Sequence, residues 1–253
     1  MAIQHINSIS NRLSLRPPQR DSLEILVRVC EIIELSKDAD PVAALTAIKS
    51  EFPTVEDFER DFPSLCFAIA TGVGKTRLMG AFIAYLYQSE GIRNFFVLAP
   101  NLTIYNKLIA DFTPNTPKYV FKGIAEFAQQ PPLIITGDNY DQTGVVVEET
   151  PTGFAHDVRI NIFNIAKITS EVRGGKEPRI KRMKEVLGDS YFNHLANLPD
   201  LVLLMDESHR YRAQAGMRTK AAQFLSSCQI PDDQSKFPTD GDQSIAGCKA
   251  YKV

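Results

Sequence analysis

One stretch limits the fold more than any other. From Ser64 to Met79, Ser-Leu-Cys-Phe-Ala-Ile-Ala-Thr-Gly-Val-Gly-Lys-Thr-Arg-Leu-Met, an apolar run breaks at a glycine-bearing turn and resumes at helical spacing. That order predicts a strand, a phosphate-binding loop and a helix. Gly72 and Gly74 let the backbone approach a polyphosphate and turn successive N–H groups toward it, and the helix behind them points its positive dipole end at the anion. In this reading Lys75 reaches the β- and γ-phosphates, and the Thr76 hydroxyl ligates Mg²⁺. Thr71, Gly72, Val73, Gly74, Lys75, Thr76 and Arg77 are the candidate nucleotide-binding residues of the loop. The general pattern G-x-x-x-x-G-K-[ST] has glycine where this chain has Ile69, so Thr-Gly-x-Gly-Lys-Thr carries the turn. A chance Gly-Lys-Thr in a surface turn would not need the strand before it and the helix after it.

Ahead of the loop, Leu15-Arg-Pro-Pro-Gln-Arg20 reads as a rigid extended piece leading into a helix, with Asp21-x-x-Glu24 as its capping box and Leu23, Leu26, Val27, Cys30 and Ile33 on one face. A short helix is expected around Val42 to Lys49. Beyond the loop, Leu78, Met79, Phe82, Ile83 and Leu86 form one stripe of a helix ending near Glu90-Gly91. Asn94 to Pro100 is apolar on both alternations, as in a parallel strand covered on both faces, and Asn101 to Phe112 reads as its following helix. Tyr119 to Phe127 is ambiguous between strand and helix. Leu133 to Thr136 and Arg159 to Ile168 read as strands, Gly137 to His156 as a hairpin or mobile excursion, Glu171 to Glu177 as a loop, and Arg179 to Asn197 as a helix.

A second anchor follows. Leu201-Val-Leu-Leu-Met205 is a wholly aliphatic strand that delivers Asp206-Glu207-Ser208-His209 at its carboxyl end. A phosphate-loop nucleotidase needs acids at that place. Asp206 is the candidate Mg²⁺ holder, largely through water, and Glu207 the residue that orients or deprotonates an attacking water. On its own an Asp-Glu after a strand is usually a solvated turn; Lys75 upstream in the same sheet is what gives the pair its meaning.

With both anchors in place the chain resembles a family. Thr-Gly-Val-Gly-Lys-Thr, Val-Leu-Ala-Pro-Asn-Leu (97 to 102) and Asp-Glu-Ser-His are similar to motifs I, Ia and II of superfamily 2 helicases of the DExH type. More closely, Leu15 to Arg20, Ile162-Phe-Asn-Ile-Ala-Lys167, Glu171 to Arg179 and Asp206 to Arg212 resemble the restriction (Res) subunits of type III restriction enzymes. The likeness runs from about Leu13 to Arg218. It implies an α/β fold, a mostly parallel RecA-like P-loop NTPase sheet with helices on both faces, in an ATP- and Mg²⁺-using motor on double-stranded DNA, partnered by a modification methyltransferase subunit. It also assigns Gln19 to the adenine, whose N6 and N7 an amide can pair bidentately, with Arg16 assisting, and His209 to coupling the nucleotide site with the next motor domain and nucleic acid.

The expected division is an N-terminal helical lead-in over 1–62, a first motor domain over 63–218, and an irregular tail over 219–253 that reads as truncated or frame-shifted. The family's later motifs have no counterpart in that tail, so the expectation is weak MgATP binding and little turnover by this chain alone. The rival reading is a non-catalytic module that binds nucleotide or DNA without hydrolysis. A run of cations, Arg173, Lys176, Arg179, Lys181, Arg182 and Lys184, fits either phosphate contact or a solvated helix face. A net charge of −2 leaves any DNA binding to such local patches. Four scattered cysteines suggest reduced thiols and a cytoplasmic protein. The longest aliphatic run falls far short of the roughly 20 residues that span a bilayer, so no membrane partner is expected.

Overall fold

A computed structural model describes residues 2–36, 39–58, 62–70, 72–141, 157–165, 168, 180, 183–184, 189–206 and 251–252. Its centre is a parallel sheet. Strands β1 (Asn94–Ala99), β2 (Leu133–Thr136), β3 (Arg159–Asn164) and β6 (Leu201–Met205) lie in the order β2-β3-β1-β6, every pairing parallel. All six residues of β1 are buried. Its side chains alternate between two cores, with Phe95, Val97 and Ala99 on one face and Phe96 and Leu98 on the other. That is what a run apolar on both alternations should do.

The first face carries the N-terminal helices α1 (Ala2–Arg12) and α2 (Pro17–Ile32), then α3 (Pro41–Glu51), α4 (Lys75–Glu90) and α5 (Leu102–Phe112). The second face is covered by α7 (Tyr191–Asn197), whose Tyr191, Phe192 and Leu195 pack beneath Phe96 and Phe163. A short helix α6 (Ala125–Gln129) precedes β2. The expected α/β architecture, a mostly parallel sheet with helices on both faces, is therefore the fold. Among the described residues no helix is long and apolar enough to cross a membrane.

Several local expectations need correction. The N-terminal segment forms α1, a helix not singled out in the sequence, with Ile6 and Ile9 buried and Leu13 buried just past its end. Helix α2 starts at Pro17 rather than at Asp21, because prolines fit the first helical positions, and its N-cap is Arg16. Helix α4 is not amphipathic with one stripe. Every residue from Leu78 to Leu86 is buried, since α1 and α2 pack over the side of α4 that would otherwise meet water. It stops where expected, at Gly91 with φ +68°.

The strand expected before the loop is reduced to bridge pairing at Leu65 and Cys66. The edge of β6 that faces away from β1 is paired at Val202 and Leu203 with β7 (Tyr251–Lys252), antiparallel. The helix expected over 179–197 is shorter. A two-residue hairpin pairing of β4 (Met183–Lys184) with β5 (Asp189–Ser190) takes its first part. The helix begins only after Ser190, whose hydroxyl accepts the Asn193 N–H and caps it. The excursion expected over 137–156 lies outside the described residues from 142 onward, as do the 171–177 loop and the cations at 173, 176, 179, 181 and 182.

Candidate nucleotide site

The site is built where α2, the loop and the start of α4 meet. Gly72 (φ +83°) and Gly74 (φ +100°) hold left-handed backbone, which L side chains rarely adopt, and Gly74 serves as N-cap of α4. The turn closes with the Val73 N–H on the carbonyl of Ala70 at 3.3 Å. Lys75 and Thr76 then occupy the first positions of the helix, at its positive end.

Gln19 joins α2 to this loop. Its Nε2 donates to the carbonyl oxygen of Gly74 at 2.8 Å, and its Oε1 accepts the backbone N–H of Arg16 at 2.8 Å. The side chain is 1% exposed. A Cβ at position 74 would lie 2.7 Å from that Nε2, so the glycine is required both by its φ and by the amide seated on it. Arg16 adds a longer reach, Nη1 to the carbonyl of Gly72 at 3.4 Å. One Nε2 proton and one Oε1 lone pair of Gln19 are thus committed to the protein, and these two bonds leave one of each unused.

Along this junction runs a cleft of about 700 Å³. One wall is formed by Arg16, Gln19, Gly72, Gly74, Thr76 and Arg77; the facing wall comes from α5 and the turn that follows it. Two contacts fix that second wall. Val120 packs on the bare side of α4 at Gly80, where a Cβ would come within 2.4 Å of its methyl, and the Arg12 guanidinium donates to the carbonyl of Gly123 at 2.8 Å. Tyr119, the aromatic ring among the lining residues, directly precedes Val120; burial pushes its phenol up to about 12.

The lining is strongly cationic. Among the described lining residues, Arg12, Arg16, Arg77, Lys107, Lys118 and Lys122 stand against one carboxylate, Asp111. Burial raises the Asp111 carboxyl above its usual range, while Lys107 and Lys118 pull it back down. Such a wall attracts polyanions.

Thr76 is buried, and its hydroxyl accepts from the Lys107 ammonium at 3.4 Å. No motif marks Lys107 as a site residue; a lysine on the exposed side of a helix 31 residues away carries no such signal. Asp206 follows β6 as expected, buried, with its N–H on the Leu98 carbonyl at 3.2 Å, but neither it nor Lys75 lines the cleft. The structure therefore brings Arg16, Gln19, Gly72, Val73, Gly74, Thr76 and Arg77 to one cleft and sets Asp206 at the carboxyl end of the neighbouring strand. Thr71, Glu207 and His209 lie outside the described residues.

The donor set suits a nucleoside triphosphate with a divalent ion. A loop with left-handed glycines opens on a helix N-terminus inside a cationic cleft, with a buried hydroxyl at the second helical position. The family described as type III restriction enzyme, res subunit, matches residues 12–230. A curated relative from Haemophilus influenzae, named "Probable type III restriction-modification enzyme HindVIP Res subunit", is 28% identical over 167 residues, which is 61% of this chain and 27% of the relative. The chain thus spans about a quarter of that relative's length. No solved structure matches the chain significantly.

Proposed function

The chain belongs to the type III restriction enzyme Res subunit family, and we propose that it is the ATP-binding part of that subunit's helicase-like motor. The observation that carries the reading is the Gly72–Thr76 loop, opened at the N-terminus of α4 and locked by Gln19 inside a cleft whose lining is cationic but for Asp111. In this reading the loop N–H groups and Lys75 hold the phosphates, and Gln19 and Arg16 meet the adenine with the hydrogen-bonding capacity the protein leaves them. Thr76 and Asp206 would hold a Mg²⁺, which would supply positive charge against the phosphates. Glu207 orients the attacking water, and His209 couples the nucleotide site to nucleic acid. Thr71 and Val73 complete the loop, and Arg77 adds charge to the cleft.

The partners of this reading are double-stranded DNA and a modification methyltransferase subunit, the setting the relative's printed name suggests. The division into a lead-in over 1–62, a motor domain over 63–218 and a tail over 219–253 belongs to the same proposal, with α1 and α2 as the lead-in that reaches the loop.

The test is ATP turnover by the purified chain with and without duplex DNA. Positioning and charge stabilisation supply nearly all catalysis in this chemistry, and an arginine supplied in trans is worth about 10³ to 10⁵ in rate. The expected result is MgATP binding with barely measurable turnover. Robust DNA-stimulated turnover that disappears in Glu207→Gln would overturn the low-activity part of this reading. Binding that disappears in Lys75→Ala, with no turnover under any condition, would favour the non-catalytic module.

A further inference from the structure

We propose that Lys107 is a second phosphate-binding lysine of the site, one that engages the outer phosphate of a nucleoside triphosphate beside Thr76 and makes the site prefer triphosphate over diphosphate. The inference rests on the reading of the cleft as a nucleotide site, and it adds a residue from outside the loop.

Its basis is where the ammonium sits and how weakly it is held there. Lys107 extends from the middle of α5 across the cleft and donates to the Thr76 hydroxyl at 3.4 Å, a long bond to a neutral acceptor. Its other partner, Asp111 one turn along α5, is 3.8 Å away, and burial makes ionisation of that carboxyl costly. The Lys107 side chain is 61% exposed. An exposed i,i+4 pair of this length contributes little, so little is lost when the ammonium moves to a stronger acceptor. A phosphate oxygen is such an acceptor, since bonds between two charged partners are about twice as strong as neutral ones.

The placement also says which phosphate. Lys75 and Thr76 open α4, and the hydroxyl at the second of these positions would hold the divalent ion that accompanies the outer phosphates in a phosphate-loop site. A cation already resting on that hydroxyl is at the outer end of the chain of phosphates. Were the Thr76 oxygen given to a divalent ion, the Lys107 ammonium would lose this weak acceptor, and a terminal phosphate would offer it a charged one. A diphosphate offers no group there.

The experiment measures equilibrium affinity of the full chain for a non-hydrolysable ATP analogue and for ADP, both with Mg²⁺, in wild type, Lys107→Ala, Lys107→Gln and Lys107→Arg, with Lys75→Ala as reference. Loss of one charge-assisted bond predicts that Lys107→Ala and Lys107→Gln weaken the triphosphate by about 10- to 100-fold. ADP affinity should change less than about twofold, and Lys107→Arg should keep most of the preference. If Lys107→Ala leaves the ratio of the two affinities unchanged while Lys75→Ala abolishes both, the nucleotide site stands and Lys107 has no part in choosing the phosphate. If the wild-type chain binds neither nucleotide, the reading of the site fails and this inference with it.

Discussion

The Nε2 of Gln19 lies 2.8 Å from the carbonyl oxygen of Gly74, across 55 residues of sequence. Through this bond the N-terminal helices are mechanically part of the phosphate loop: the same amide also caps α2 by accepting the Arg16 N–H. Removing it leaves the Arg16 N–H without its partner at a packed junction, while the Gly74 carbonyl keeps the Arg77 and Leu78 N–H groups. Gln19→Ala is expected to cost about 1–3 kcal/mol in urea unfolding, and Gln19→Glu to behave no better, since a carboxylate would face the Gly74 carbonyl instead of donating to it. Equal stability of wild type and Gln19→Ala would show that the clamp carries no load.

The two loop glycines should respond differently. Gly74→Ala meets both a backbone at φ +100° and the Gln19 amide at 2.7 Å, whereas at Gly72, φ +83°, an added Cβ meets nothing within 4 Å. Gly72→Ala should therefore cost only the left-handed penalty of about 1–2 kcal/mol. Gly74→Ala should cost more and displace the loop. Thermal melts of the two variants, together with Gln19→Ala/Gly74→Ala, check the order; the double variant should recover the steric part of the Gly74 effect but not the strain.

The far wall of the cleft rests on Gly80. A methyl there would overlap Val120, 2.4 Å from its nearest methyl, so Gly80→Ala should destabilise by about 1–3 kcal/mol through overpacking. Val120→Ala in the same chain should relieve most of that loss. A double-mutant cycle with no coupling between the two positions would contradict the packing that places Tyr119 and Lys118 along the cleft.

Asp111 sets a pH dependence. Its carboxyl titrates above the ordinary value of 3.8, chiefly because of burial, so the folded state holds the proton more tightly than the unfolded chain. Stability contributed by this group therefore falls as pH rises from 3.8 through the raised folded value. Asp111→Asn is expected to raise the melting temperature near neutral pH and to have no effect well below that ordinary value, where both states are protonated. A variant less stable than wild type at neutral pH would reverse the sign.

The parts of this protein that were legible in sequence are those set by local pattern. Apolar residues on both alternations of Asn94 to Ala99 and Leu201 to Met205 could only be strands buried on both faces, and Gly91 and Asn101 supply a helix end and a helix N-cap whose chemistry is local. Tertiary choices were hidden. Helix α1 buries Ile6 and Ile9 among polar residues, too sparse a stripe to announce itself, and only its packing on α4 makes it a helix with a purpose. The segment before the loop has strand composition, yet only bridge pairing forms there, at Leu65 and Cys66. At the site, the loop was readable because successive residues carry it. The Gln19 to Gly74 bond and the Lys107 to Thr76 contact join residues far apart in the chain, and no spacing rule encodes them.

The central claim is that the Gly72–Thr76 loop binds a nucleoside triphosphate, and the most direct measurement is a calorimetric titration of the full chain with MgATP, in wild type and Lys75→Ala. The account predicts one saturable site per chain in the wild type and none in the variant, with both proteins folded to the same extent by circular dichroism. Binding that persists unchanged in Lys75→Ala, or a wild-type chain that gives no heat at any concentration of MgATP, would contradict it.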